Sequence, residues 1–207
     1  MPSKKPASTR IRTATIERKT GETEIALTLD LDGTGVYDVD TGNGFLDHMV
    51  SQISRHGLID INLKAKGDLH VGWHHLVEDV AITLGRAFNE ALGDARGIRR
   101  MGHAIVPLDE TLAMVSLDCS GRGYAVIVTT LDDTMVETLP GALIKHFFES
   151  FALEGKINLH AQIMTGVSPH HKAEALCKAL ARSLRDALEP DPRASSQIPS
   201  TKGTLSG

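Results

Sequence analysis

Apolar positions along the chain switch between a period of two and a period near 3.6, and the same order of switches runs twice. In the first half Ile25, Leu27, Leu29 and Leu31 alternate with polar residues, so Glu24 to Leu31 reads as a strand with one buried face. Ile11 to Glu17 precedes it across the turn Lys19-Thr20-Gly21-Glu22, which makes a hairpin. Leu46 to His56 then carries Leu46, Met49, Val50 and Ile53 on one helical stripe, and Leu58 to Ala65 alternates again. From His75 to Leu92 the residues Leu76, Val80, Leu84, Ala87 and Leu92 form a second helical face, which Gly93 stops.

The second half repeats this series. Met101 to Pro107, Leu112 to Cys119 and Tyr124 to Thr129 read as strands, Ala142 to Leu153 as a helix and Ile157 to Thr165 as a strand. His171 to Leu188 is the last helix, and Pro190 ends it. The expected fold is α+β: two pseudo-symmetric halves from an internal duplication, each a mainly antiparallel four-stranded sheet with two helices on one face. The expected divisions are a disordered tail over 1–10, a first half over 11–95, a second over 96–190 and a C-terminal segment over 191–207. Aromatic residues make up 4% of the chain, so either half alone would have a small core; the halves should fuse, with Asp94-Ala95-Arg96-Gly97 as the seam.

Charge and composition narrow the partners. A net charge of −4 and a pI near 6.2 oppose a nucleic-acid partner, which needs a basic surface. No apolar run approaches the roughly 18 residues of a membrane span, and Met1 to Arg10 is polar, unlike a signal peptide or anchor. Cys119 and Cys177 form no CxxC pattern and suit buried thiols in a reducing compartment, so a cytoplasmic enzyme is expected.

The chemistry lies at the helix starts. His74-His75-Leu76-Val77-Glu78 and His170-His171-Lys172-Ala173-Glu174 share one spacing. On a helix the first His and the Glu stand at i and i+4, the second His and the Glu at i and i+3, so both pairs share a face. The two adjacent histidines diverge by about 100°, and one doublet therefore feeds two metals more easily than it closes one. With ten His in the chain a single doublet would be unremarkable; two copies at the same offset are not. His48 precedes the first doublet and His146 the second, 26 and 24 residues upstream. Six imidazoles and two carboxylates divide into two sets of three His and one Glu, a donor set that suits Mn, Fe, Co, Ni or Zn better than Mg or Ca. Four protein ligands leave an octahedral ion two open positions, as a catalytic metal needs. His56, His70, His103 and His160 lack such a partner and read as hydrogen-bonded structural groups. Asp79 reads equally as an outer partner that orients a ligand or as a helix surface acid.

A second constellation is cationic. Arg99 and Arg100 follow Gly97-Ile98, Arg122 lies in Ser120-Gly121-Arg122-Gly123, and Lys202 lies in Pro199-Ser200-Thr201-Lys202-Gly203. Hydroxyls, a Gly and a Lys can wrap a phosphate, and an arginine in a Gly-flanked turn supplies a bidentate contact.

On Gly44-Phe45-Leu46-Asp47-His48-Met49, His74 through Asp79, Gly97-Ile98-Arg99-Arg100, Pro107-Leu108-Asp109-Glu110, Ser120-Gly121-Arg122, His170 through Glu174 and Pro199 through Gly203, the chain resembles the imidazoleglycerol-phosphate dehydratases of histidine biosynthesis. The likeness runs from about Arg10 to Leu205 and is to the monofunctional form. It implies two Mn2+ per active site, each held by three His and one Glu drawn from His48, His74, His75, Glu78, His146, His170, His171 and Glu174. It implies phosphate and substrate contacts at Arg99, Arg122, Ser200 and Lys202, and a substrate-side carboxylate at Glu22. The catalytic group is then Glu22, Glu78, Glu174, His75 and His171. It further implies trimers packed into a 24-subunit shell with active sites between subunits.

The expected reaction is dehydration of imidazole glycerol phosphate to imidazole acetol phosphate through a metal-stabilised imidazolate and a diazafulvene, because no carbonyl acidifies the proton that is lost. Glu22 is the candidate base. Gly72, Trp73 and Leu76 depart from the family pattern around the first doublet, which bears on substrate access more than on the reaction. Two other classes compete: a di-metal phosphate-ester hydrolase, and a non-enzymic metal-binding assembly protein. The first usually carries more Asp ligands, and the second leaves the Arg and Lys motifs without a purpose.

Overall fold

Two four-stranded sheets form from the two runs of alternating residues. The computed structural model describes residues 12–205 of the 207; the expected tail over 1–10, and Ile11, lie outside the described residues. The first sheet contains β1 (Thr13–Lys19), β2 (Thr23–Asp30), β3 (Tyr37–Asp40) and β4 (Asp60–Gly67), with α1 (Gly44–Gly57) and α2 (His74–Leu92). The second contains β5 (Met101–Leu108), β6 (Thr111–Asp118), β7 (Tyr124–Val128) and β10 (Asn158–Thr165), with α3 (Gly141–Glu154) and α4 (Pro169–Leu188). A two-stranded ribbon, β8 (Met135–Val136) with β9 (Leu139–Pro140), leads into α3.

The strand orders are β1-β2-β4-β3 and β5-β6-β10-β7. Within each sheet the pairing is antiparallel except at one edge, where β3 runs parallel to β4 and β7 parallel to β10. The mainly antiparallel, duplicated α+β architecture expected from periodicity is therefore present, with an edge strand in the first half that periodicity did not reveal. Tyr37–Asp40 is short and largely exposed, so it lacks the apolar alternation that marks the other strands.

Local chemistry sets the helix ends. Asn43 caps α1, its side-chain oxygen accepting from the backbone N–H groups of Phe45 and Leu46, and Leu58 closes it in the left-handed region at φ 55. Leu58 therefore belongs to the helix cap, and the strand starts at Asp60. Ser168 caps α4 by accepting from the His171 N–H, with Pro169 in the first turn. Gly102 is required by packing, since a Cβ there would overlap the Ser183 carbonyl of α4.

Each sheet buries one face, with Ile25, Leu27, Leu29, Ile61 and Leu63 inward in the first and Ala113, Val115, Leu117, Leu159 and Ala161 inward in the second. α1 and α2 cover the first sheet, α3 and α4 the second, and the helices then pack α2 on α3 and α1 on α4. The helical layer lies between the sheets, and a single buried cluster runs through both halves. Phe88 of α2 and Phe151 of α3 meet edge to face across this layer at 5.8 Å. Cys119 and Cys177 are free and buried; burial pushes the Cys119 thiol up to about 12 and raises Cys177 as well, so both stay protonated at neutral pH. Emptying the space between α2 and α3 by Phe88→Ala should lower the unfolding free energy by about 3–5 kcal/mol, read as a shift in the denaturant midpoint.

Candidate metal and substrate site

The crossed packing of the helices brings candidate ligands from opposite halves together. On α2, His74 and Glu78 face His146 of α3; on α4, His170 and Glu174 face His48 of α1. In each trio one ligand atom per residue lies within 4.8 Å of the other two. In the α1/α4 trio, the Glu174 Oε2 atom is 3.0 Å from His48 Nε2 and 3.1 Å from His170 Nε2. In the α2/α3 trio, His74 and His146 stack at 4.8 Å between ring centroids, and His146 Nε2 lies 3.3 Å from Glu78 Oε1. Helical spacing alone left open which Glu shares a cluster with which upstream His. The packing resolves it: each cluster takes a His and a Glu from one half and its third member from the other.

The donor chemistry fits a transition-metal ion. The buried His146 Nε2 makes no well-aligned hydrogen bond among the described residues and faces the Glu78 carboxylate at 3.3 Å, so its polar surroundings are the other members of its trio. Nitrogen-rich trios with one carboxylate match the softer divalent ions. Glu174 is ready to ligate as an anion. Burial raises its pKa, but hydrogen bonds from Lys178 and His48 outweigh burial and bring it down to about 2.

His75 and His171 do not join either trio. The two rings of each doublet lie 6.1 Å apart between centroids and nearly perpendicular, at 90° for His74/His75 and 89° for His170/His171. His75 Nδ1 lies 3.0 Å from Asp68 Oδ2, and its Nε2 lies 3.7 Å from Glu22 Oε1. His171 Nδ1 lies 2.7 Å from Glu110 Oε2, with its Nε2 3.9 Å from Asp109 Oδ2. The hydrogen bond to Asp68 raises the pKa of His75, and that to Glu110 raises His171. Glu110 is held far below the usual carboxylate range by His171 and by the backbone N–H groups of Ser168 and Val167.

A cavity of about 550 Å³ opens among Arg100, Ser120, Arg122, Pro199, Ser200 and Lys202. Arg122, Ser200 and Lys202 thus meet as the sequence suggested, but Arg99 does not line this space. Its guanidinium pairs with Asp186 at 2.6 Å. Arg100, whose backbone sits in the left-handed region at φ 76, takes the inner side instead, doubly bonded to Asp118 and donating to the Pro199 carbonyl at 2.7 Å.

Asp79 fits neither expectation. It is buried, accepts from Arg18 Nη2 at 2.7 Å and from the Thr23 hydroxyl, and so secures the hairpin turn that carries Glu22. Within that turn Thr20 Oγ1 accepts from the N–H groups of Glu22 and Thr23. Leu76 is a core residue that packs against Gly67, and half-buried Trp73 packs at the α2 start. His56 bonds Gln52, whereas His70, His103 and His160 are exposed. Sequence reasoning missed Asp68, Glu110, Glu137, whose Oε1 lies 3.0 Å from His170 Nδ1, and Lys178 on Glu174. Only Lys178 had a local signal, its i+4 spacing from Glu174.

Comparison with known proteins agrees with this architecture. Residues 41–184 match the family model for imidazoleglycerol-phosphate dehydratase. An imidazoleglycerol-phosphate dehydratase from Dehalococcoides mccartyi (strain CBDB1) is 56% identical over 194 residues, covering 94% of this chain and 97% of the relative. One from Roseiflexus sp. (strain RS-1) is 54% identical over 200 residues, covering 97% of this chain and 100% of the relative. The crystal structure of imidazoleglycerol-phosphate dehydratase from Staphylococcus aureus subsp. aureus N315 superposes with a TM-score of 0.78 at 30% identity, over 86% of this chain and 99% of that one. That of IGPD from Pyrococcus furiosus in complex with (S)-C348 gives 0.78 at 32% identity, over 91% and 99%. The chain therefore belongs to the imidazoleglycerol-phosphate dehydratase family, the hydro-lyases of the dehydration step in histidine biosynthesis.

Proposed function

We propose that the chain converts imidazole glycerol phosphate to imidazole acetol phosphate on a pair of divalent transition ions, with Mn2+ as the cofactor. The observation that carries this reading is the pair of pseudo-equivalent His-His-Glu trios, in each of which one donor atom per residue lies within 4.8 Å of the other two. His48, His170 and Glu174 hold one ion; His74, His146 and Glu78 hold the other. Each set gains its third histidine from His75 or His171 of another copy, because these rings stand outside both trios of their own chain, against Asp68 and Glu110. That division supports active sites between subunits, and the family resemblance supports a 24-mer built from trimers.

The substrate must lose a hydroxyl from the carbon on the ring and a proton from the next carbon. When bound, the ions would offset the negative charge of a ring that has given up its N–H proton. Glu22 Oε1 takes the carbon-bound proton; the turn that Thr20, Thr23 and Asp79 fix places it beside His75. Arg122, Ser200 and Lys202 hold the phosphate, while Arg100 braces the C-terminal segment through Pro199. Fixing the phosphate fixes the reacting carbons, a contribution by positioning. In this division the halves over 11–95 and 96–190 supply the ligands and the segment over 191–207 supplies phosphate donors. Among the described residues no helix is long and apolar enough to cross a membrane. Two free thiols and a net charge of −4 suit work in a reducing cytoplasm without nucleic acid.

Protein loaded with Mn2+ should form a keto product from imidazole glycerol phosphate, and chelator-stripped protein should not. Release of inorganic phosphate instead would favour the hydrolase, and metal uptake with no turnover the storage protein. His75→Ala and His171→Ala should each lower metal content and reduce native size together; full loading at native size in both variants would count against ligands shared between copies. Mn2+ uptake should weaken as pH falls, because protons compete for the histidines. His75 and His171, whose pKa values are raised, should begin that loss above the range of an ordinary histidine, as a pH series of metal titrations would reveal.

A further inference from the structure

We propose that Asp68 and Glu110 are positioning residues that grip the outward histidines by Nδ1, so that His75 and His171 present Nε2 to a metal ion. The inference rests on the ligand roles proposed above for these two histidines. Neutral imidazole carries one N–H. A carboxylate at Nδ1 draws that hydrogen to itself, leaves the lone pair on Nε2 and strengthens it as a donor. Asp68 and Glu110 stand at Nδ1 in both cases, at 3.0 and 2.7 Å.

The two halves reach this contact from positions that the duplication does not relate. Glu22 and Glu110 hold the same place in the repeat, each one residue before an eight-residue strand, β2 or β6. Asp68 directly follows β4, and the residue that directly follows β10 is Gly166. Two copies of one unit would inherit the same clamp. Instead the first half uses Asp68, leaving Glu22 on the Nε2 side, while the second uses Glu110 and has no side chain at Gly166 to compete. A contact made twice from unrelated positions marks the contact itself as the thing required.

Both clamps are themselves held. Glu110 Oε1 accepts from the N–H groups of Val167 at 3.0 Å and Ser168 at 2.8 Å, which leaves Oε2 for the ring. Asp68 is fixed through its backbone N–H, which donates to the Glu22 carbonyl at 3.0 Å. That bond also ties the clamp of His75 to the turn that carries the proposed base.

The test is a Mn2+ titration of the stripped full-length chain, with free Mn2+ read by electron paramagnetic resonance and thermal melting of the stripped protein as the control for folding. Asp68→Ala should weaken one of two classes of bound ion by about 10- to 100-fold. Asp68→Asn, which keeps an acceptor oxygen, should recover part of the loss. Glu110→Gln should weaken the other class. Its amide must either donate to Nδ1, which moves the ring hydrogen to Nε2, or turn its NH2 against the N–H groups of Val167 and Ser168. Wild-type affinity in all three variants overturns the proposal, as does equal loss in Asp68→Ala and Asp68→Asn with a lowered melting temperature, which marks a merely structural role. Should Glu110→Gln fail to fold, the Asp68 pair still decides. A wild-type chain that takes up no Mn2+ overturns the metal reading beneath it, an outcome distinct from intact binding in the variants.

Discussion

The packing of α2 on α3 and of α1 on α4 is the constraint on which the site depends. Helical spacing puts His74 with Glu78 and His170 with Glu174, but two ligands do not make a metal centre. The third member of each trio sits on a helix of the other half, so its distance is set by interdigitated apolar side chains such as Phe88 and Phe151. Apolar burial, which has no directional preference of its own, thereby fixes polar atoms to within a few ångströms. The same packing holds His146 Nε2 against the Glu78 carboxylate at 3.3 Å.

Electrostatics around the trios works at a second level. Glu174 is drawn down to about 2 against the opposing effect of burial, because Lys178 and His48 both bond it. The outward histidines meet carboxylates, and the proposed phosphate cavity gathers Arg122 and Lys202 where the Ser120–Gly123 turn meets the C-terminal segment. Arg100 stands between these arrangements and the core: its bonds to Asp118 on β6 and to the Pro199 carbonyl attach the C-terminal segment to the second sheet. A charged residue can thus serve a cavity by holding its wall while its own charge is already matched.

Most of the fold was legible because the two periods differ so strongly. Strands such as Thr23–Asp30 alternate without a break, and the four helices each carry an apolar stripe. The failures are local. β3 has a single half-buried residue, Val39, and Leu58 looks like strand because it is apolar although its backbone is a left-handed helix cap. At the candidate site, the i+4 pairs and the divergence within each doublet could be read from spacing. Pairing across the halves could not, because it belongs to the tertiary packing. The choice between Arg99 and Arg100 turns on one residue of register, and Asp79 reads as a surface acid until Arg18 and Thr23 are brought to it from the first hairpin. Asp68 is an ordinary turn acid in the sequence, and Glu110 figures there only within the Pro107–Glu110 stretch; their contacts with the histidine rings give both a role.

The crossed trios carry an implication for descent. A protein of half this length, folded as one sheet with two helices, would own a His and a Glu on one helix and a lone His on the other, pointed away from them. Two such chains facing each other would make two identical centres about a twofold axis. Joining the genes end to end turns that dimer into one chain and releases the centres from symmetry. Each can then change alone, and a carboxylate once tied down twice becomes free in one copy to take up a new task.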